Sequence, residues 1–128
     1  MTSTAAPRAD RYRQAAFVYL HVGLLYEAAV WVMWSRGLLP EGRGPVWVWL
    51  LAGAAITAVV FWGLWSWRNR WFARAIWALH ALRIPALLEG AFLAQGAGGA
   101  GVPPRAYQAA LVVVLVNLGF LARAGWDL

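Results

Sequence analysis

Apolar positions along this chain gather into four long runs, covering 15–34, 46–67, 72–94 and 106–124. The hydrocarbon of a bilayer takes about 20 mostly apolar residues per helix to cross. Each run meets that length. The pattern therefore predicts an all-α polytopic membrane protein, a four-transmembrane-helix bundle forming a single membrane domain over 1–128.

The breaks between the runs differ in character. Residues 36–45 are rich in Gly and Pro and read as a loop, and 95–104 even more so. The middle break, Arg68-Asn69-Arg70-Trp71, holds neither residue and is inferred from its charge as a tight turn. Gly96-Ala97-Gly98-Gly99-Ala100-Gly101 partly matches a dinucleotide-loop pattern, but no strand precedes it, so it reads as a flexible external linker. The tail before Gln14 is expected to be disordered. Arg8, Arg11 and Arg13 resemble the basic start of a signal peptide. The apolar stretch after them is too long, however, and Met33-Trp34-Ser35-Arg36 is no small-residue cleavage site, so the first run is read as a retained span.

Composition supports a lipid environment. Hydrophobic residues make up 62% of the chain and charged ones 12%, too few to cover a water-facing surface. The absence of cysteine excludes disulfides, thiolate catalysis and sulfur-based metal sites. The net charge of +6 arises from eleven basic residues, all arginine. Because these lie beside apolar runs, the lipid bilayer and not nucleic acid is their expected partner.

Their distribution also predicts orientation. Arg8, Arg11, Arg13, Arg68, Arg70, Arg74 and Arg123 fall on one side, against Arg36, Arg43 and Arg105 on the other. The positive-inside rule then places both termini in the cytoplasm of a cell with the chain in its (inner) membrane. Indole rings favour the headgroup level. Trp31, Trp34, Trp47 and Trp49 would form an outer belt, and Trp62, Trp65, Trp67, Trp71 and Trp126 an inner one. Trp77 falls inside a span.

Ionisable groups at membrane depth are costly, about 2.5–3.5 kcal/mol each on insertion scales, and usually face a partner inside the bundle. His21 and Glu27 lie in the first span; His80, Arg83 and Glu89 lie in the third. Thr57 and Asn117 add polar groups in the second and fourth. At about 1.5 Å per residue, His21, His80 and Asn117 sit roughly 9–12 Å in from the basic side. Glu27, Arg83 and Thr57 sit roughly 15–18 Å in, near the midplane, and Glu89 lies nearer the outer face. A buried Glu27–Arg83 pair is expected, together with a kink at Pro85, which frees the carbonyl of Ala81. Ala86, Gly90 and Ala94 offer a small-residue ridge for close helix packing. The two halves also echo each other faintly, as Leu20-His21 and Leu79-His80 each follow an arginine pair.

Three functional readings follow. The first is a non-enzymatic subunit or partner within a membrane complex, associating with other membrane subunits or as a homo-oligomer. The second is a small oligomeric transporter using Glu27, Arg83 and Glu89. The third is an electron-transfer subunit with His21 and His80 as axial haem ligands. Neither a catalytic motif nor a metal-ligand spacing is present. Small multidrug exporters share the four spans, the size and a glutamate in the first span, but the arginine bias does not suit their dual-orientation members, and no family is assigned.

Overall fold

The computed structural model describes residues 5–39, 44–93 and 102–128. The described residues are helical apart from short connections, and four stretches are long and apolar enough to cross a membrane. They form five helices: α1 (Ala5–Ser35), α2 (Val46–Ser66), α3 (Arg70–Ala81), α4 (Ile84–Phe92) and α5 (Pro104–Trp126). Hydrocarbon offers no partner for backbone N–H and C=O groups, so each crossing segment must satisfy its own, as an α-helix does.

Helix α1 begins about three turns before the expected boundary, so the tail is not disordered from Ala5 onward. Tyr12 accounts for the extension, for it is buried against the rest of the bundle together with Ala15 and Ala16 at the start of the expected run. At its far end α1 closes in a Schellman motif. Leu38 N–H donates to Met33 O at 2.9 Å and Gly37 N–H to Trp34 O at 3.0 Å, with Gly37 at a positive φ of 68°. The α2–α3 turn is as tight as its charge pattern suggested. Without a glycine, Arg68 itself takes the left-handed conformation, with φ 48°, and Asn69 caps α3 by accepting from Trp71 N–H at 2.8 Å. Helix α3 accordingly starts at Arg70, earlier than predicted, and α5 starts at Pro104. A proline is tolerated in that first turn because its missing N–H would have no helical partner there.

The third span is two helices. Pro85 cannot donate to Ala81 O, and the chain breaks at Leu82 and Arg83, where Arg83 N–H instead reaches His80 O at 3.1 Å. The expected kink is thus a change of helix. Of the small-residue ridge, Gly90 is buried against the Tyr107 ring of α5, Ala86 is exposed, and Ala94 lies outside the described residues, as does the Gly96–Gly101 linker.

The helices assemble through two apolar clusters. One joins α1, α2, α3 and α5 around Tyr12, Ala16, Leu64, Ile76 and Leu121. The other joins α4 and α5 through Leu87, Val114 and Leu118. Trp77 packs against both. Beyond the first cluster the bundle divides into an α1–α2 hairpin and an α4–α5 hairpin, and α4 packs chiefly on α5.

The basic end is stitched by polar contacts that bring together the N-terminal part of α1, the start of α3 and the C-terminus of α5. Arg74 Nε donates to Gly125 O at 2.9 Å, satisfying a carbonyl of the last turn of α5. Its guanidinium stands 4.7 Å from the Trp71 ring and 5.1 Å from that of Trp126. Arg11 meets Asp127 at 3.4 Å, and Arg123 Nη1 donates to Gln14 Oε1 at 3.1 Å. Trp31, Trp34, Trp47 and Trp49 are exposed toward the opposite end, and Trp62, Trp67, Trp71 and Trp126 toward the basic end. Trp65 is half-buried among Phe17, Phe61 and the Arg13 guanidinium.

Candidate functional site

One turn outward from the first cluster, apolar packing gives way to polar groups. Tyr19, at the cluster's edge, places its hydroxyl 2.8 Å from His80 Nε2, with the rings edge to face at 5.2 Å between centroids. This bond links α1 to α3. Leu121 of α5 shares the cluster with Tyr19 and Ile76. One turn outward from Ile76 is His80, and one turn outward from Leu121 on the antiparallel α5 is Asn117, so the two share a level. Asn117 is completely buried, and neither its Oδ1 nor its Nδ2 has a hydrogen-bond partner among the described residues.

His21 does not join this layer. It follows Tyr19 by two residues, a rotation of about 200° around the helix, and so faces outward, exposed. Its Nδ1 lies 2.7 Å from Phe17 O, and the ring stacks on Phe17 at 6.2 Å. A carbonyl oxygen only accepts, so Nδ1 carries the proton in this bond and Nε2 is turned to the surroundings. Two axial imidazoles must converge on one iron from opposite sides. Here one ring is held inside by Tyr19 and the other faces away from the bundle, so the residues do not fit the haem expected of them. The sequence echo between the halves fails at the same residues, since the two histidines face different environments.

The next level outward holds Glu27 and Arg83, without the expected ion pair, and Thr57, expected beside them, lies one turn nearer the basic end, opposite Gly23. No salt bridge joins Glu27 to Arg83. The Arg83 guanidinium lies 5.2 Å from the ring centroid of Tyr26, a cation–π contact. Glu27, one residue on and about 100° around α1, turns toward α2. Its carboxylate rests against Gly53, where any Cβ would collide with it. Thr57 packs in the same way against Gly23, four residues back on α1 as Thr57 is four residues on along α2. That match is what antiparallel packing requires. The Thr57 hydroxyl donates to Gly53 O at 2.8 Å within its own helix, so it fills the interface without bonding across it. Glu89 is exposed near the end of α4, within a turn of Phe92, where its side chain can reach toward the interface.

The polar seam therefore runs from Asn117 through His80 and Tyr19 to Arg83 and Tyr26, with Glu27 on the α2 side of α1. Tyr26, Gly23 and Gly53 were not singled out from the sequence. The four-residue spacing of Gly53 and Thr57, a small-xxx-small pattern, was the signal available for α2. The described residues contain no group of three His, Cys, Asp or Glu side chains able to hold a metal ion. No family model, no curated protein and no solved structure matches this chain.

Proposed function

We propose that the chain is a non-enzymatic subunit of a larger membrane assembly, docking through its α1–α2 hairpin. The observation that carries this reading is the mismatch between burial and polarity in that hairpin. Only 11% of the membrane window of α1, and 11% of that of α2, is buried within the chain, against 33% for α5. Yet α1 carries both Glu27 and the outward-facing His21. Hydrocarbon has nothing to offer an imidazole Nε2, and a neighbouring helix with a hydroxyl or amide does. The basic end faces the cytoplasm in this reading, because seven of the eleven arginines lie there.

A photo-reactive amino acid at Leu25, which is 59% exposed one turn beyond His21, tests it in intact membranes. Cross-linking to a discrete membrane polypeptide is expected, and the same adduct should weaken in His21→Leu. A chain that stays uncross-linked and elutes as a single copy in mild detergent would remove the proposal.

A second reading, a small oligomeric carrier, is favoured by Glu27 itself. It is a half-buried carboxyl near the midplane, with no salt bridge to the arginine at its level. There Glu27→Gln should abolish flux in proteoliposomes while the helical content stays intact.

A further inference from the structure

At the basic end, α1 and α5 part to leave a groove of about 300 Å³ lined by Asp10, Arg13, Gln14, Phe17, Val18 and Phe120. The α1 residues recur at three- and four-residue steps and so share one helix face. The chemistry of that face changes with depth. Asp10 lies farthest from the apolar run, Arg13 and Gln14 one turn deeper, and Phe17 and Val18 a turn deeper again, beside Phe120. Arg123 adds a second cation at the middle level. It donates to Gln14 Oε1 at 3.1 Å, and its guanidinium lies 5.8 Å from the Phe120 ring centroid. The Arg13 guanidinium is held 5.5 Å from the Trp65 ring. From water to hydrocarbon the order is a carboxylate, two guanidiniums and an apolar floor.

We propose that this groove binds one phospholipid whose headgroup carries a primary amine, an ethanolamine phospholipid. Its phosphodiester sits on Arg13 and Arg123, whose planar forks match phosphate oxygens. The ammonium, which lies outward of the phosphate in such a lipid, meets Asp10. Asp10 and Arg13 are about one helical turn apart, roughly 5 Å of rise, the reach of a two-carbon linker. The first part of an acyl chain runs over Phe17, Val18 and Phe120. The charge order discriminates among headgroups. A glycerol headgroup brings no cation to Asp10, and a choline brings a cation with no N–H to donate.

The test uses the full chain in nanodiscs containing ethanolamine, choline and glycerol phospholipids in equal amounts with identical acyl chains. Retained lipid is then identified by native mass spectrometry. Ethanolamine lipid should be enriched over choline lipid by about threefold, the scale of one exposed charge-assisted contact. Asp10→Asn should remove that preference, and the double variant Arg13→Gln/Arg123→Gln should lower retention of all three lipids. Helical content and tryptophan emission of the variants report folding, and the comparison within the unaltered chain needs no variant at all. Equal retention of the three lipids, enrichment of the glycerol lipid, or release of the bound lipid by millimolar inorganic phosphate would each overturn the proposal.

Discussion

A leucine in place of Asn117 is expected to make the protein more stable, although it deletes a polar group from the inner end of the polar seam. The side chain is 0% exposed, and both of its polar atoms lack a partner among the described residues. In a water-soluble protein each buried, unpaired polar atom costs about 1–3 kcal/mol. The cost is smaller in a bilayer, because the separated helices also lie in hydrocarbon. Polar contacts between membrane helices there average about 0.6 kcal/mol and rarely pass about 1.7. Relief of two unpaired atoms is then worth about 1–2 kcal/mol, from which a near-isosteric swap takes back well under about 1.5 kcal/mol in repacking. The net gain is about 1 kcal/mol, a fivefold change in the folded-to-unfolded ratio. Unfolding in mixed micelles of rising SDS content measures it. Tryptophan emission is the signal, since Trp77 of α3 and Trp126 of α5 meet edge to face at 5.3 Å and part when the bundle opens. Asn117→Asp, which adds an ionisable group at the same place, should shift the midpoint the other way. If Asn117→Leu lost about 1 kcal/mol or more, the amide would have to be bonded in the folded protein, through a trapped water for example, and the reasoning would fail.

Three further outcomes follow from contacts of the same kind. Gly53→Ala sets a methyl against the Glu27 carboxylate, whose flexible end can swing aside, while alanine improves on glycine in a helix by about 1 kcal/mol. The variant should be close to neutral alone and stabilising by about 1 kcal/mol in a Glu27→Ala background, and equal effects in the two backgrounds of a double-mutant cycle would deny the contact. Tyr19→Phe and His80→Phe should each destabilise, with a coupling of about 0.6 kcal/mol for the bond they share, and strictly additive losses would deny that bond. Arg74→Gln removes the donor to Gly125 O and two aromatic contacts and should cost about 1–2 kcal/mol with a shift in tryptophan emission. Arg74→Lys should recover little of it, because an ammonium lacks the planar fork.

Relative level along the bundle was partly legible in the sequence and direction was not. Helical rise is fixed, so counting residues from the basic boundary placed His80 with Asn117 and Glu27 with Arg83 at common levels. Which way a side chain points depends on which helices surround its own, and in a run that is apolar on every side nothing in the pattern reports that. Helix α2 is such a run, and its contact with α1 turned Glu27 toward Gly53 and away from Arg83. The break at Leu82 and Arg83 added a second uncertainty by resetting the rotation of everything after it. The outward direction of His21 was hidden for the same reason, since it follows from Tyr19 facing in. Pro85 was readable because its effect is local: a missing N–H acts within one turn. The early start of α1 was hidden because the burial of Tyr12 depends on α5, about a hundred residues later, folding back over it.

The break in the third span also bears on how the protein fits lipid layers of different depth. A continuous helix meets a thicker or thinner bilayer by tilting as a whole or by leaving the lipid to deform around it, and tilting here would drag on the arginine and tryptophan contacts around Gly125. With α3 and α4 as separate rods joined at Leu82 and Arg83, α4 can change its angle to α3 while α3 and α5 stay packed together. The stitched end then keeps its position at the water boundary, and the far end takes up the difference in thickness.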